Sequence, residues 1–177
     1  GVSLADAAAA LETAHGAKGR VEPVPTDGDY SIFIDYAVTP DAIENVLTTL
    51  RGIAPKRLVM LFGAGGDRDR KKRPIMGKLS ADIADFVIVT SDNPRTEDPM
   101  SIIEEILPGV RAGKAPYKVI CDRPEAIRWA IDHHEPGDVI LLCGKGHEDY
   151  QIIGHEKIHM DEREIVADYL AERAKRT

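Results

Sequence analysis

Three short apolar runs, at residues 58–62, 86–90 and 139–143, each give way at once to a polar loop, and this punctuation constrains the fold more than any other feature of the chain. Runs of this length rich in Val, Ile and Leu read as strands buried on both faces, as in a parallel sheet covered by helices. Open α/β sheets bind ligands outside the carboxyl ends of such strands. The loops that follow carry Gly63-Ala64-Gly65-Gly66-Asp67-Arg68, Asp92-Asn93-Pro94-Arg95 and Gly144-Lys145-Gly146-His147-Glu148. Three polar loops therefore leave one edge of the sheet. The guanidinium of Arg95, a planar fork of donors, suits a carboxylate or phosphate on a small ligand. A solvated arginine in an Asn-Pro turn is the bland alternative on this tetrapeptide alone. Neither Gly-rich stretch ends in Lys-Ser or Lys-Thr, so no Walker loop is present.

The rest of the chain alternates helix and strand patterns without internal repeats or low-complexity tracts. An Ala-rich amphipathic helix is expected over 4–15, ended by Gly16. A strand at 31–36 precedes a helix at 41–53, with Thr39 as cap and Pro40 in its first turn. Strand 57–62, helix 74–84 and strand 85–90 follow. A helix starts near Pro99 and stops before Pro108-Gly109. Strands 117–121 and 138–143 flank a helix at 124–133, and the chain ends in a hairpin around Gly154 and a charged helix at 161–175. This pattern predicts the α/β class, a Rossmann-like three-layer domain with a mostly parallel sheet. The Gly154 hairpin is expected to supply an antiparallel edge.

At 177 residues and 43% hydrophobic the chain suits one domain with a sizeable core. A formal net charge of −7 argues against nucleic acid as the main partner. It also demotes the basic cluster Arg68, Arg70, Lys71, Lys72 and Arg73 from a nucleic-acid patch to a local anion site. Cys121 and Cys143 fall at strand-like positions and read as buried free thiols. No signal peptide, transmembrane run or lipidation motif occurs, so a cytoplasmic chain without membrane contact is expected. His133-His134 is not a metal site, because neighbours on a helix point to different faces and no ligand set accompanies them. His155 and His159 are expected in solvent. Glu97, Asp98, Glu104 and Glu105 fit the start of a helix, where the dipole favours negative charge.

Four ordered motifs carry a family resemblance: Asp35-Tyr36-Ala37-Val38-Thr39-Pro40-Asp41-Ala42, the loop Gly65-Gly66-Asp67-Arg68-Asp69 with Lys72-Arg73-Pro74-Ile75-Met76-Gly77, Asp92-Asn93-Pro94-Arg95-Thr96-Glu97-Asp98-Pro99, and Gly144-Lys145-Gly146-His147-Glu148-Asp149-Tyr150-Gln151. From about Gly19 to its end the chain resembles the carboxy-terminal domain of the Mur ligases. Within that family it is most similar to the branch that adds meso-diaminopimelate to UDP-N-acetylmuramoyl-L-alanyl-D-glutamate in peptidoglycan synthesis. The resemblance implies amino-acid contacts from Arg68, Asn93, Arg95, Gly144 and Glu148, with Asp92 and Pro94 completing the tetrapeptide. It implies a nucleotide contact from Arg20, and Asp35, at the end of the first clear strand, is placed to accept from ribose hydroxyls of the nucleotide. Lys145 serves either the loop's shape or the ligand's anions. One departure stands out: Val38 occupies a position where the family carries histidine, and valine can neither donate nor accept.

ATP and Mg2+ are implied as cofactors, held mainly by the family's central domain, which is not in these residues, as the UDP-sugar domain is not. By the same implication residues 1–177 are a single Mur ligase carboxy-terminal domain, contain no catalytic or metal-ligating residue, are inactive alone, and are monomeric. The implied chemistry is phosphorylation of the D-glutamate γ-carboxylate, then attack of the diaminopimelate amine on the acyl phosphate. Alternatives are a lysine-adding or folylpolyglutamate-type ligase domain, and a non-catalytic amino-acid-binding module.

Overall fold

In a computed structural model that describes residues 1–12, 16–54 and 56–176, the apolar runs form the middle of the sheet. Along the chain the elements are α1 (Leu4–Glu12), β1 (Glu22–Val24), β2 (Tyr30–Asp35), α2 (Pro40–Arg51), β3 (Leu58–Phe62), α3 (Lys72–Ile83), β4 (Phe86–Val89), α4 (Pro99–Ala112), β5 (Tyr117–Val119), α5 (Arg123–Asp132), β6 (Asp138–Cys143), β7 (Tyr150–Ile153), β8 (Glu156–His159) and α6 (Glu162–Ala174). Six strands lie in the order β1-β2-β6-β3-β4-β5, parallel except for β1, which runs antiparallel to β2.

Every residue of β3 and β6 is buried, because helices cover both faces. Their side chains alternate between two layers. Met60, Phe62, Leu141 and Cys143 pack with α2, α3 and α4, whereas Val59, Leu61, Ile140 and Leu142 pack with α5 and α6. The three-layer expectation follows from that period of two. Helix starts obey their local signals: Thr39, Asp98 and Asp122 accept from the backbone N–H of Ala42, Ser101 and Glu125. No helix among the described residues is long and apolar enough to cross a membrane.

The register aligns the site. Asp35 pairs with Cys143, Cys143 with Phe62, and Phe62 with Val89, so four strands end side by side and their exit loops emerge at one level.

The structure corrects two expectations about elements. An antiparallel edge hairpin exists, but β1 and β2 form it. The Gly154 hairpin, β7 with β8, is a separate two-stranded sheet that touches the Asp92–Arg95 loop through a bridge between Arg95 and Ile153. Helix α4 does not stop before Pro108 but continues to Ala112. Proline costs a helix interior about 3 kcal/mol, and burial of Ile102, Ile103, Ile106, Leu107 and Val110 on this helix offsets it. Helix α1 buries no residue, and the last part of that expected helix, 13–15, lies outside the described residues. Both thiols are free. Cys143 is buried and Cys121 half-buried, and burial pushes both thiol pKa values up, keeping them protonated and unreactive.

Candidate functional site

The loops leaving β3, β4 and β6 meet over a buried amide. Asn93 Oδ1 accepts from Lys145 Nζ at 2.9 Å and from the Ile152 backbone N–H at 2.9 Å, and its Nδ2 donates to Glu148 Oε2 at 2.9 Å. Lys145 is wholly buried and also reaches Glu148 Oε2 at 2.8 Å. Of its two expected roles, Lys145 thus serves the shape of the loop. Burial pushes the Glu148 pKa up, but hydrogen bonds from Lys145 and Asn93 outweigh it, so this carboxyl sits below its ordinary range and is anionic at neutral pH. The Tyr36 hydroxyl approaches Glu148 Oε1 at 3.4 Å.

Asp92 is buried with one oxygen engaged and one not. Its Oδ1 accepts from the Asn93 N–H at 2.6 Å, while Oδ2 has no hydrogen-bond partner among the described residues. That oxygen faces Gly144. Arg95 has φ +53°, a left-handed conformation unusual for a side chain of this size. The β7–β8 hairpin enforces it: Arg95 N–H donates to Ile152 O at 3.0 Å, and Arg95 O accepts from Gly154 N–H at 2.7 Å. The side chain then leans on the β3 loop, Nη1 donating to Gly66 O at 2.8 Å.

These groups line a cavity of about 120 Å³. Asp92 and Glu148 are its acids; Arg68, Lys72 and Arg95 are its cations; Asn93, Tyr36, Val38, Gly65 and Gly144 complete the wall. Larger grooves of about 500 Å³ beside β1 and α6, and about 430 Å³ on α3 and α4, share no lining residue with this cavity. A small cavity with charges of both signs can hold a zwitterion, each ammonium on a carboxylate and each carboxylate on a guanidinium.

The basic cluster is not one anion site. Arg73 is wholly buried and spends its fork on Glu97 at 2.8 and 2.9 Å and Glu105 at 2.7 Å, and Arg70 also binds Glu105. Carboxylates inside the domain neutralise these two arginines, leaving Arg68 and Lys72 to face the cavity. Glu97 and Glu105 accordingly serve arginine pairs more than the helix dipole, whereas Asp98 is the cap of α4. Lys72 Nζ donates to the Val38 carbonyl at 2.9 Å, so position 38 contributes backbone although its side chain cannot hydrogen-bond.

Arg20 and Asp35 lie beside this cavity. Asp35 is buried, and its carboxylate oxygens accept from the N–H groups of Val21 and Ala37, each at 2.9 Å. The first bond holds Val21 at φ +43°. Asp35 thereby sets the path of the segment carrying Arg20, and its oxygens retain lone pairs for a further donor. Arg20 is exposed, its guanidinium 5.3 Å from the centre of the Tyr36 ring. Four of the histidines stand apart: His133 stacks on Trp129 and His134 on Tyr30, while His155 and His159 are exposed.

Sequence reasoning missed Tyr36, which stands between Arg20 and Glu148, and Gln151, whose Nε2 donates to Asp92 O at 2.6 Å and Ser91 Oγ at 3.0 Å. Both lie inside quoted motifs, and that placement was the available signal.

Against known proteins, the family described as "Mur ligase, glutamate ligase domain" matches residues 19–146. The chain belongs to the Mur ligase family. This Mur ligase domain is 54% identical over 158 residues to a UDP-N-acetylmuramoyl-L-alanyl-D-glutamate–2,6-diaminopimelate ligase of Caldanaerobacter subterraneus, covering 89% of this chain and 33% of that one. It is 52% identical over 177 residues to the protein of the same name in Trichormus variabilis, covering 99% and 36%. A solved structure of a ligase with that name matches with a TM-score of 0.83 and 37% identity, covering 98% of this chain and 35% of its own. The domain thus spans about a third of the length of these relatives.

Proposed function

We propose that this Mur ligase domain binds meso-diaminopimelate and orients its amine for ATP-dependent amide formation with UDP-N-acetylmuramoyl-L-alanyl-D-glutamate, as the carboxy-terminal part of a longer cytoplasmic, monomeric enzyme. What supports this most is the cavity with two acids and three cations. Diaminopimelate carries an ammonium and a carboxylate at each end, so it needs both signs twice. A simple anion site would have no use for the Glu148 carboxylate, which is held anionic on the cavity wall. The names of the relatives, each a diaminopimelate ligase, point the same way.

In this proposal Arg95, with Arg68, takes the distal carboxylate, Glu148 and Asp92 take ammonium, and Asn93, Pro94 and Gly144 hold the loops in shape. The D-glutamate γ-carboxylate attacks the γ-phosphorus of ATP, giving acyl phosphate and ADP; the ammonium sheds a proton to water, the resulting amine attacks the acyl carbon, and the tetrahedral intermediate loses its second N–H proton and expels phosphate. The domain supplies orientation and charge complementarity for the second step. Arg20 and the segment that Asp35 holds face ATP when the domain closes, and closure keeps water from the acyl phosphate. No group of three or more His, Cys, Asp or Glu able to hold a metal gathers among the described residues, and no step is routed through magnesium here.

Kinetics of the full-length ligase with meso-diaminopimelate and with lysine test this. Lysine lacks the distal carboxylate, and sites built around such a polar group reject the analogue lacking it by about 10⁴-fold. Arg95→Ala should lower kcat/KM for diaminopimelate and shrink its advantage over lysine, and Arg95→Lys should restore part of it, because an ammonium cannot reproduce the fork. Arg20→Ala should raise KM for ATP far more than that for the amino acid. An unchanged ratio of the two amino acids in Arg95→Ala would remove Arg95 from the specificity role.

A further inference from the structure

Arg123 is wholly buried, yet it is the first residue of α5, where the positive end of a helix disfavours a cation. A buried guanidinium must be paired, so its partners define its purpose. Nε donates to Glu162 Oε1 at 2.8 Å, Nη2 to the Cys143 carbonyl at 2.8 Å, and Nη1 to the Ser91 carbonyl at 3.1 Å. Cys143 and Ser91 immediately precede Gly144 and Asp92. The strands that end there, β6 and β4, do not pair with each other, because β3 lies between them. One side chain therefore ties two loops that the sheet itself does not join. Glu162, the first residue of α6, is equally buried, and its Oε2 has no hydrogen-bond partner among the described residues, so its pairing rests on Arg123. Buried ion pairs are weak sources of stability compared with apolar side chains of similar volume. What this pair supplies is geometry.

We propose that Arg123, held by Glu162, is a positioning residue that sets the spacing of the Asp92–Arg95 and Gly144–Glu148 loops, and through it the fit of the cavity to its ligand. The ligand clause rests on the function proposed above. Neither loop can shift alone while both carbonyls share one rigid guanidinium. A lysine at this position could reach one carbonyl at a time but could not span both in a planar fork.

Amide hydrogen exchange on the ligand-free 177-residue chain tests the spacing clause, comparing the native sequence with Arg123→Met, Arg123→Lys and Glu162→Gln. In Arg123→Met, exchange in both loops should accelerate at least about tenfold while α2 and the centre of β3 stay protected. Arg123→Lys should recover part of this, and Glu162→Gln should loosen both loops to a smaller degree. Acceleration spread evenly over the sheet, or confined to one loop, overturns the proposal. If Arg123→Met does not fold, the other two variants decide by the same criterion. Calorimetric titration with meso-diaminopimelate then tests the ligand clause, with affinity expected to fall at least about tenfold in Arg123→Met and to return in part in Arg123→Lys. Equal affinities across the series overturn that clause. A native chain that binds none of the amino acid, while both loops loosen together, overturns the proposed ligand and supports the spacing role.

Discussion

Glu97 shows how much one side chain on this domain depends on its neighbour. Hydrogen bonds from Arg73, then the Asp67 N–H, draw its pKa from 4.5 down to about 2. A carboxyl depressed on folding stabilises the native state above its unfolded pKa and loses that contribution as pH falls through the folded value. Thermal midpoints should therefore drop between pH 4.5 and about 2. Glu97→Gln should flatten that limb and lower the midpoint at neutral pH. An acid limb of unchanged slope would mean the pair adds nothing. The same arginine marks where sequence stops being informative. Arg95, Asp92 and Glu148 are legible because each follows a recognisable strand end. Arg73 is not, because whether an arginine faces a ligand or the core depends on Glu97 and Glu105, carried by α4 and the loop before it.

Helices α3 and α4 touch through backbone. A Cβ on Gly109 would stand 1.8 Å from the Pro74 carbonyl oxygen. Replacing glycine by alanine within a helix ordinarily stabilises it by about 1 kcal/mol. Here the sign should reverse, Gly109→Ala destabilising the domain by about 1–3 kcal/mol as the helices are forced apart. Denaturant unfolding reads the difference, and a stabilised variant would show that the two helices can slide past each other. The same contact explains why α4 was cut short in the sequence expectation. Pro108-Gly109 is a local stop signal, and only the partner helix reveals that the pair serves a close crossing instead. Strands β3, β4 and β6 were legible because burial on both faces leaves an uninterrupted apolar run. Strand β1 itself and the placement of the β7–β8 hairpin were not, since short strands of mixed character do not declare themselves or state which edge they join.

At the scale of the whole molecule, the cavity is assembled from segments scattered between Tyr36 and Glu148, yet nothing in the chain matches a loop that would hold the β and γ phosphates in line. The purified 177-residue chain should therefore form no amide product from ATP, the nucleotide-linked acid and diaminopimelate. Product detected by mass spectrometry would place the phosphoryl-transfer machinery inside this domain. The segment bearing Arg20 also rests directly on the loop bearing Glu148: a Cβ on Gly19 would lie 2.2 Å from the backbone nitrogen of His147, and Tyr36 packs against both sides of that junction. Two stretches of main chain in such contact cannot be displaced separately. An anion that draws on Arg20 would thus change the affinity of the Glu148 end for its ammonium. By thermodynamic necessity the ammonium would return the favour by the same factor, making the two ends of this domain a single cooperative unit rather than two independent grips.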